Sequence, residues 1–465
     1  RPTPVDDATF LRRVSLDLTG LLPTPEARAE FLADKHPERR AWLIQKLLND
    51  KVAYTEHWLT FWNDLLRNDY AGTGFITKGR TQISKWLYQS LLENKPYDQF
   101  VRELIAPVPG AEGFIQGIRW RGNVNASQRQ EVQFAQNVGQ VFLGINLKCA
   151  SCHDSFIDRW TLEETYGLAQ VYATEQLELH RCDKPTGQQA KAAWLFPELG
   201  QVQADAAQPE RLKQLAGLLT HPDNGRFTRT IVNRLWHQLM GRGIVHPVDA
   251  MHTQPWSEDL LDYLAIHLAD NNYDLKKTLE LICTSQAYQS QTPAITQQEG
   301  GAYVFRGPLP RRMTAEQFVD AIWQLTGAAP QKFQAPVTRP KSETPLMVRA
   351  SLLKADELMR ALGRPNRDQV VTMRPEGLTT LEAIELANGQ PLADAIAKGG
   401  SHLKTRFPEA PEDLIAWAFH YALSRDPSAS EKSQAKQFLG PAPEPKAIED
   451  FLWALVMLPE FQLVR

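Results

Sequence analysis

The residues most able to do chemistry are Cys149-Ala-Ser-Cys152-His153. Two thiols three residues apart, followed at once by an imidazole, form the spacing by which a c-type haem is attached. The offset lets one turn of chain offer both thiols to the two vinyl groups on neighbouring porphyrin edges. The adjacent His then gives the iron a proximal imidazole nitrogen. Three other readings of these residues stay open. A structural zinc site needs a second ligand pair, and His180 with Cys182 would supply one. A thioredoxin-like redox pair wants a strand before it and a helix after, whereas a helical pattern precedes this pair. The plain reading is two buried thiols that only pack.

A haem protein is sorted by what stands opposite the proximal His. A Met or His there favours electron transfer, and an open position allows substrate chemistry. His237 and Met240 lie three apart on one helical pattern, so they share a face and either is a candidate sixth ligand. His57 sits among Trp58, Phe61 and Trp62, which would wall a haem. His246, Met251 and His252 follow Gly241-Arg-Gly243 on a loop. His57, His237 and Arg234 are thus the candidates for the distal side. Arg159 and Arg234 suit haem propionates, with a surface salt bridge as the plainer role. Trp58, Trp62, Trp120, Trp160, Trp236 and Trp256 would stack on sugars or fill a core. Glu163/Glu164 and Asp154/Asp158 are carboxylate pairs, but glycosidase chemistry needs a set separation that no pair here reveals.

The whole chain bounds these readings. It has 465 residues, net charge −3, 43% hydrophobic and 23% charged residues. That composition belongs to a globular protein of two to four domains and argues against a nucleic-acid binder. No apolar run approaches the length of a transmembrane helix. Arg1 to Asp7 do not read as a signal peptide, so the chain reads as a mature fragment. Its four cysteines, Cys149, Cys152, Cys182 and Cys283, are too few for a disulfide scaffold. Haem attachment would place the protein in the periplasm or otherwise outside the cytoplasm. There Cys182 and Cys283 would be free to form one disulfide, or to stay separate buried thiols.

The elements that must position these groups are helical. Periodicity predicts helices over Ala41–Asp50, Tyr54–Asn68, Arg80–Asn94 and Gln128–Leu143, the last leading into the Cys pair. Thr161 with Glu164 is a capping box opening a fifth. Residues 176–208 mix charge, Gly and Pro and are expected to connect two helical domains, 1–175 and 209–465. In the second, helices fit Pro209–His221, Phe227–Met240, Ser257–Asn271, Leu275–Tyr288, Thr314–Leu325, Arg349–Leu362, Thr380–Asn388, Glu412–Leu423, Ser430–Leu439 and Ala447–Leu458. Gln291–Pro310 and Ala328–Pro345 read as loops. The expected class is mainly α with little β-structure, two helical domains packed around a c-type haem site.

Several longer stretches carry a resemblance. They are Phe10-Leu-Arg-Arg-Val-Ser-Leu-Asp-Leu-Thr-Gly-Leu-Leu-Pro-Thr-Pro25, Glu56-His-Trp58 with Trp62, Pro96-Tyr-Asp-Gln-Phe-Val-Arg-Glu-Leu104, and Cys149 to Trp160. Further on come Phe227-Thr-Arg-Thr-Ile-Val-Asn-Arg-Leu-Trp236 with Gly241-Arg-Gly243, Ser285-Gln-Ala-Tyr288, Pro310-Arg-Arg-Met-Thr-Ala-Glu316, Gly363-Arg-Pro365 and Asp450-Phe-Leu-Trp-Ala-Leu455. With these the chain resembles, over nearly its whole length, the cytochrome-c-like paired domains of unknown function that abound in planctomycetes and their relatives. The resemblance implies an exported, haem-binding protein associated with breakdown of complex polysaccharides. One departure stands out. The family usually reads Cys-His-x-His-Pro-Phe-Asp, and here Ser155 replaces the second His.

The expectation is therefore an exported c-type haem protein with redox function: one covalent haem on Cys149 and Cys152, with His153 on the iron. An oxidoreductase in carbohydrate catabolism is favoured, because the scaffold is large for a mere carrier and two domains offer an interface pocket. An electron-transfer cytochrome, or a non-catalytic haem- or zinc-stapled protein binding a glycan or partner, is the alternative. The partner would be a redox protein or a small carbohydrate.

Overall fold

Local chemistry sets many of the helix ends. The Thr161 hydroxyl accepts the Glu164 amide while the Glu164 carboxylate accepts the Thr161 amide, and this box opens the Leu162–Tyr172 helix. Thr314 and Gln317 do the same for Ala315–Thr326, with Gly327 as its cap. The computed structural model describes residues 3–70, 80–120, 122–293, 303–342 and 346–465. Of the expected loops, 294–302 and 343–345 lie outside the described residues. Helix makes up 54% and strand 4%, so helix packing carries the architecture. No described helix is long and apolar enough to cross a membrane.

The hydrophobic interior divides into two clusters. One core runs from Val5 through Phe134, Trp160 and Trp194 to Phe227, Leu264 and Tyr288. It includes Leu177, Leu179, Ala190 and Leu195, so the expected connection is packed structure. Within it an antiparallel hairpin pairs Glu178–Arg181 with Lys184–Gln189. The second core gathers Met313, Phe318, Leu403, Leu414, Phe451 and Val464. Ala335, Leu352 and Val370 also belong to the first core, and Leu16 and Leu22 to the second, so the two cores interleave along the chain.

The first helix, Asp7–Thr19, serves both cores. Its Phe10, Leu11, Val14 and Leu18 enter the first and Leu16 enters the second. Buried Arg12 donates to the carbonyls of Phe461 at 2.7 Å and Leu463 at 2.8 Å, in the last turns of the chain. Leu463–Val464 pairs with Arg311–Arg312 as a short antiparallel ladder.

The helical expectations need correction at several places, two of them in the second half. Arg349–Leu362 is not one helix but a 3-10 turn, Ala350–Leu352, and a short helix, Glu357–Ala361. The Asp320 carboxylate takes the Ala350 amide at 2.8 Å and the Arg349 guanidinium at 2.6 Å, which holds this stretch out of a continuous helix. A seventeen-residue helix, Gln390–Arg406, stands where none was expected.

Candidate functional site

The Gln130–Leu143 helix leads into the Cys pair through Gly144, at φ 60°. Only glycine fits comfortably there: a Cβ would lie 2.3 Å from Met251 Cγ. Cys149–Ser151 then forms a 3-10 turn, in which the Cys152 and His153 amides donate to the Cys149 carbonyl at 3.0 and 3.2 Å. The Ser151 hydroxyl donates to the Leu147 carbonyl and accepts from the Gln136 amide, both at 2.7 Å, so the turn is tied to the preceding helix. Ala150 and Ser151 are buried, whereas Cys149, Cys152 and His153 are half-buried.

His153 Nδ1 lies 2.8 Å from the Asp154 carbonyl oxygen. A carbonyl only accepts, so Nδ1 is the donor in this bond and Nε2 is the nitrogen left for another partner. The imidazole packs on Phe156 with ring centroids 4.5 Å apart. Phe156 is 86% and Ile157 67% exposed, an apolar patch beside the thiols. Ser155, where the resembled family has a His, accepts the amides of Ile157 and Asp158 at 3.3 and 3.2 Å and so shapes the loop. The chemistry of this donor set suits covalent haem: two reachable thiols within one turn, an imidazole with its Nε2 free, and apolar surface for a flat macrocycle. His252, from the loop after Gly243, reaches the same segment and lies 3.3 Å from the Asp158 carboxylate. Arg159 stacks over the Trp160 ring at 3.8 Å and lies 3.2 Å from Glu164.

The hairpin brings Cys182 to this loop. The Cys182 amide donates to the Cys152 carbonyl at 3.0 Å, and Cys182 Sγ lies 3.9 Å from the same oxygen. His180 is occupied: Nδ1 lies 2.9 Å from the Glu178 carbonyl and Nε2 3.3 Å from Arg129. Among the described residues no three His, Cys, Asp or Glu side chains converge as a metal-ligand set. Of the two possibilities for Cys182 and Cys283, a disulfide or separate thiols, the structure has separate thiols; all four cysteines are free. Cys182 is exposed, while Cys283 is fully buried beside Tyr288 and Asp17, and burial pushes its thiol pKa up.

His57 and His237, grouped with the Cys pair from sequence, meet elsewhere. They line a cavity of about 240 Å³ that also takes Asp17, Trp58, Arg311 and Arg374 into its wall, and neither Cys149, Cys152 nor His153 lines it. The cavity takes wall residues from both halves of the chain. Burial first, then the charge of Arg349, pushes His57 down to about 3. Burial, then His246 and Arg311, pushes His237 down to about 4. Both are neutral imidazoles at physiological pH. Met240 is packed in the first core. Arg234 is engaged through its two terminal nitrogens, donating to the Gln140 carbonyl at 2.6 Å, to the Val141 carbonyl, and to Asp249 at 2.9 Å.

Around the cavity lies a buried ionic seam that residue types alone did not single out. Arg374 donates to Asp64 at 2.7 Å and to Glu316 at 2.6 Å. Arg367 donates to Asp64 at 2.8 Å, and Arg364 lies 3.3 Å from Glu316. Arg311 donates to Asp17 at 2.8 and 2.9 Å. The dense Arg and acid content of Pro310–Glu316 and Arg364–Arg374 was the available signal, but the partners lie up to about three hundred residues away.

Two family models match the chain. Residues 1–176 match PSCyt2, a protein of unknown function (DUF1549), and residues 211–439 match PSD1, a protein of unknown function (DUF1553). No curated protein and no solved structure matches. The chain carries the PSCyt2 (DUF1549) and PSD1 (DUF1553) regions as a tandem pair, the first holding the Cys149–His153 loop and the second following the hairpin.

Proposed function

We propose that the chain is an exported c-type haem protein with a redox role, the haem attached through Cys149 and Cys152 with His153 as proximal ligand. The observation that carries this reading is the His153 Nδ1 to Asp154 carbonyl hydrogen bond, which leaves Nε2 as the free nitrogen beside two half-buried thiols. That backbone contact is the arrangement that orients an imidazole for a metal and raises its basicity. A bound haem would supply one-electron chemistry. The residues here would hold it, orient the ring of His153 and cover one edge with Phe156 and Ile157. The placement on a half-exposed loop suits exchange of electrons with a partner surface or an accessible substrate. An oxidoreductase in carbohydrate catabolism remains the reaction class we favour; an electron-transfer cytochrome is its neighbour.

The test is direct. Protein exported through a haem-attaching host should show a Soret band and a mass about one haem above the polypeptide. Cys149→Ser with Cys152→Ser should abolish both while leaving the far-ultraviolet circular dichroism unchanged. A colourless, folded wild-type protein from that host would end the reading.

A further inference from the structure

A second cavity has a buried arginine without a counter-charge in its wall. Arg67, just past the Lys51–Leu65 helix, is 2% exposed and lines it. Its Nη2 donates to the carbonyls of Phe114 and Gln116 at 3.0 and 3.5 Å. Its Nη1 makes no hydrogen bond and, unlike Nε, is not sealed from solvent. Equally buried Arg349 and Arg367 each face a carboxylate, at 2.6 and 2.8 Å. Arg67 forms no ion pair among the described residues; burial first, then the like charge of Arg80, pushes its pKa down. A buried charge left unpaired is costly, so its retention in a cavity wall calls for an anion from outside.

The rest of the wall says which anion. The cavity measures about 160 Å³, room for a small molecule and below the size of drug-sized pockets. Lys148, exposed and 3.0 Å from Gln369, adds a second cation. Asp368 is the one carboxylate in the wall, and Arg80 opposes its charge. Two cations against one acid leave the wall positive by one charge. That matches a monoanion, while Asp368 would repel the second charge of a phosphate. A carboxylate is also the planar, two-oxygen partner that a guanidinium takes in parallel bonds. The Asn137 side chain, which makes no hydrogen bond among the described residues, can meet a further polar atom.

We infer that this cavity is a binding site for a small organic carboxylate, its charge met by Arg67 and Lys148 and a further polar atom by Asn137. The inference does not depend on haem at the Cys149–His153 loop, and its failure leaves that reading untouched.

Calorimetric titration of the full chain with lactate and glucuronate tests it, with lactamide and glucuronamide as uncharged counterparts and inorganic phosphate as the dianion. At least one acid should bind saturably below about 10 mM. Its amide should bind at least about tenfold more weakly, the value of one hydrogen bond to a charged group. Arg67→Gln should weaken binding by about tenfold for the same reason. Lys148→Ala, at an exposed position, should weaken it about threefold, and it decides the matter if Arg67→Gln does not fold by circular dichroism. A haem carries carboxylates of its own, so the titration is repeated on Cys149→Ser with Cys152→Ser. Binding in both proteins assigns the site to a free acid, and binding in the double variant alone assigns it to the carboxylates of the haem. No saturable binding of either acid in either protein overturns the inference. So does equal binding of acid and amide, tighter binding of phosphate than of either acid, or wild-type binding by the folded variants.

Discussion

The Cys149–Trp160 loop and the ionic seam between the two halves are built on opposite plans. In the loop nearly every bond is short-range: His153 to Asp154, Ser155 to Ile157 and Asp158, Thr161 to Glu164. Its reactive groups are half-exposed, and most of their neighbours adjoin them in sequence, Cys182 and His252 being brought in from further along the chain. In the seam nearly every bond is long-range. Arg374 reaches Asp64, Arg311 reaches Asp17, and Arg339 reaches Glu56 at 2.7 Å. Its carboxylates are buried and each is paired with at least one arginine. The loop can thus change chemistry without loss of the fold, whereas the seam holds the two halves together and tolerates little.

The sharpest way to break that contrast is Glu316→Gln. Glu316 is 3% exposed, and three arginines, Arg364, Arg367 and Arg374, lower its carboxyl well below the usual range against the cost of burial. Removing the charge leaves those guanidinium groups partly uncompensated, a loss of about 3–5 kcal/mol for a buried pair. Urea unfolding should show it, with both halves destabilised together. A change of less than about 1 kcal/mol would mean that the seam is solvated and the contrast is false.

The difference also explains what could be read from the amino-acid sequence. The capping boxes at Thr161 and Thr314 span three residues, so they were legible and so were the helices they open. The Cys pair and its His were legible for the same reason. The Gln390–Arg406 helix was not, because Gly399-Gly400 reads as a break. Their role is close approach: a Cβ on Gly399 would lie 2.6 Å from Thr326 Cγ2, and one on Gly400 2.7 Å from Glu449 Cγ. The grouping of His57 and His237 with the Cys pair came from local neighbours, the aromatic residues around His57 and the helical spacing of His237 and Met240, and the packing of the first helix against both cores sends them elsewhere. No local pattern announces that Asp17 and Arg311 are partners across 294 positions.

Acid should separate seam and cavity by the pH at which each fails. His57 and His237 have folded pKa values below the ordinary 6.5, about 3 and about 4. The unfolded chain therefore binds more protons just below pH 6.5, and stability falls as pH drops through that window. Glu316 is depressed from 4.5, so its contribution is complete above that value and is lost only as pH falls further. Between about pH 7.5 and 5.5 the two imidazoles together should cost about 2–3 kcal/mol. Urea midpoints across this range measure it, and His57→Phe with His237→Phe should flatten the slope. An unchanged slope in that variant would show that neither imidazole is held neutral.

The smallest effect belongs to the loop side and tests its independence. Thr161→Ala removes the hydroxyl that accepts the Glu164 amide at 3.2 Å, half of the box that opens Leu162–Tyr172 just after the Cys segment. Loss of such a cap costs about 1 kcal/mol. Because the Asp154 carboxylate separately accepts the Leu162 amide at 2.9 Å, the first turn should fray without unravelling. Hydrogen exchange should quicken at Glu163 to Thr165 and stay unchanged at Asp64 and Arg374 in the seam. Faster exchange at both places would show that the loop and the seam unfold as one unit, and the two plans would then be one.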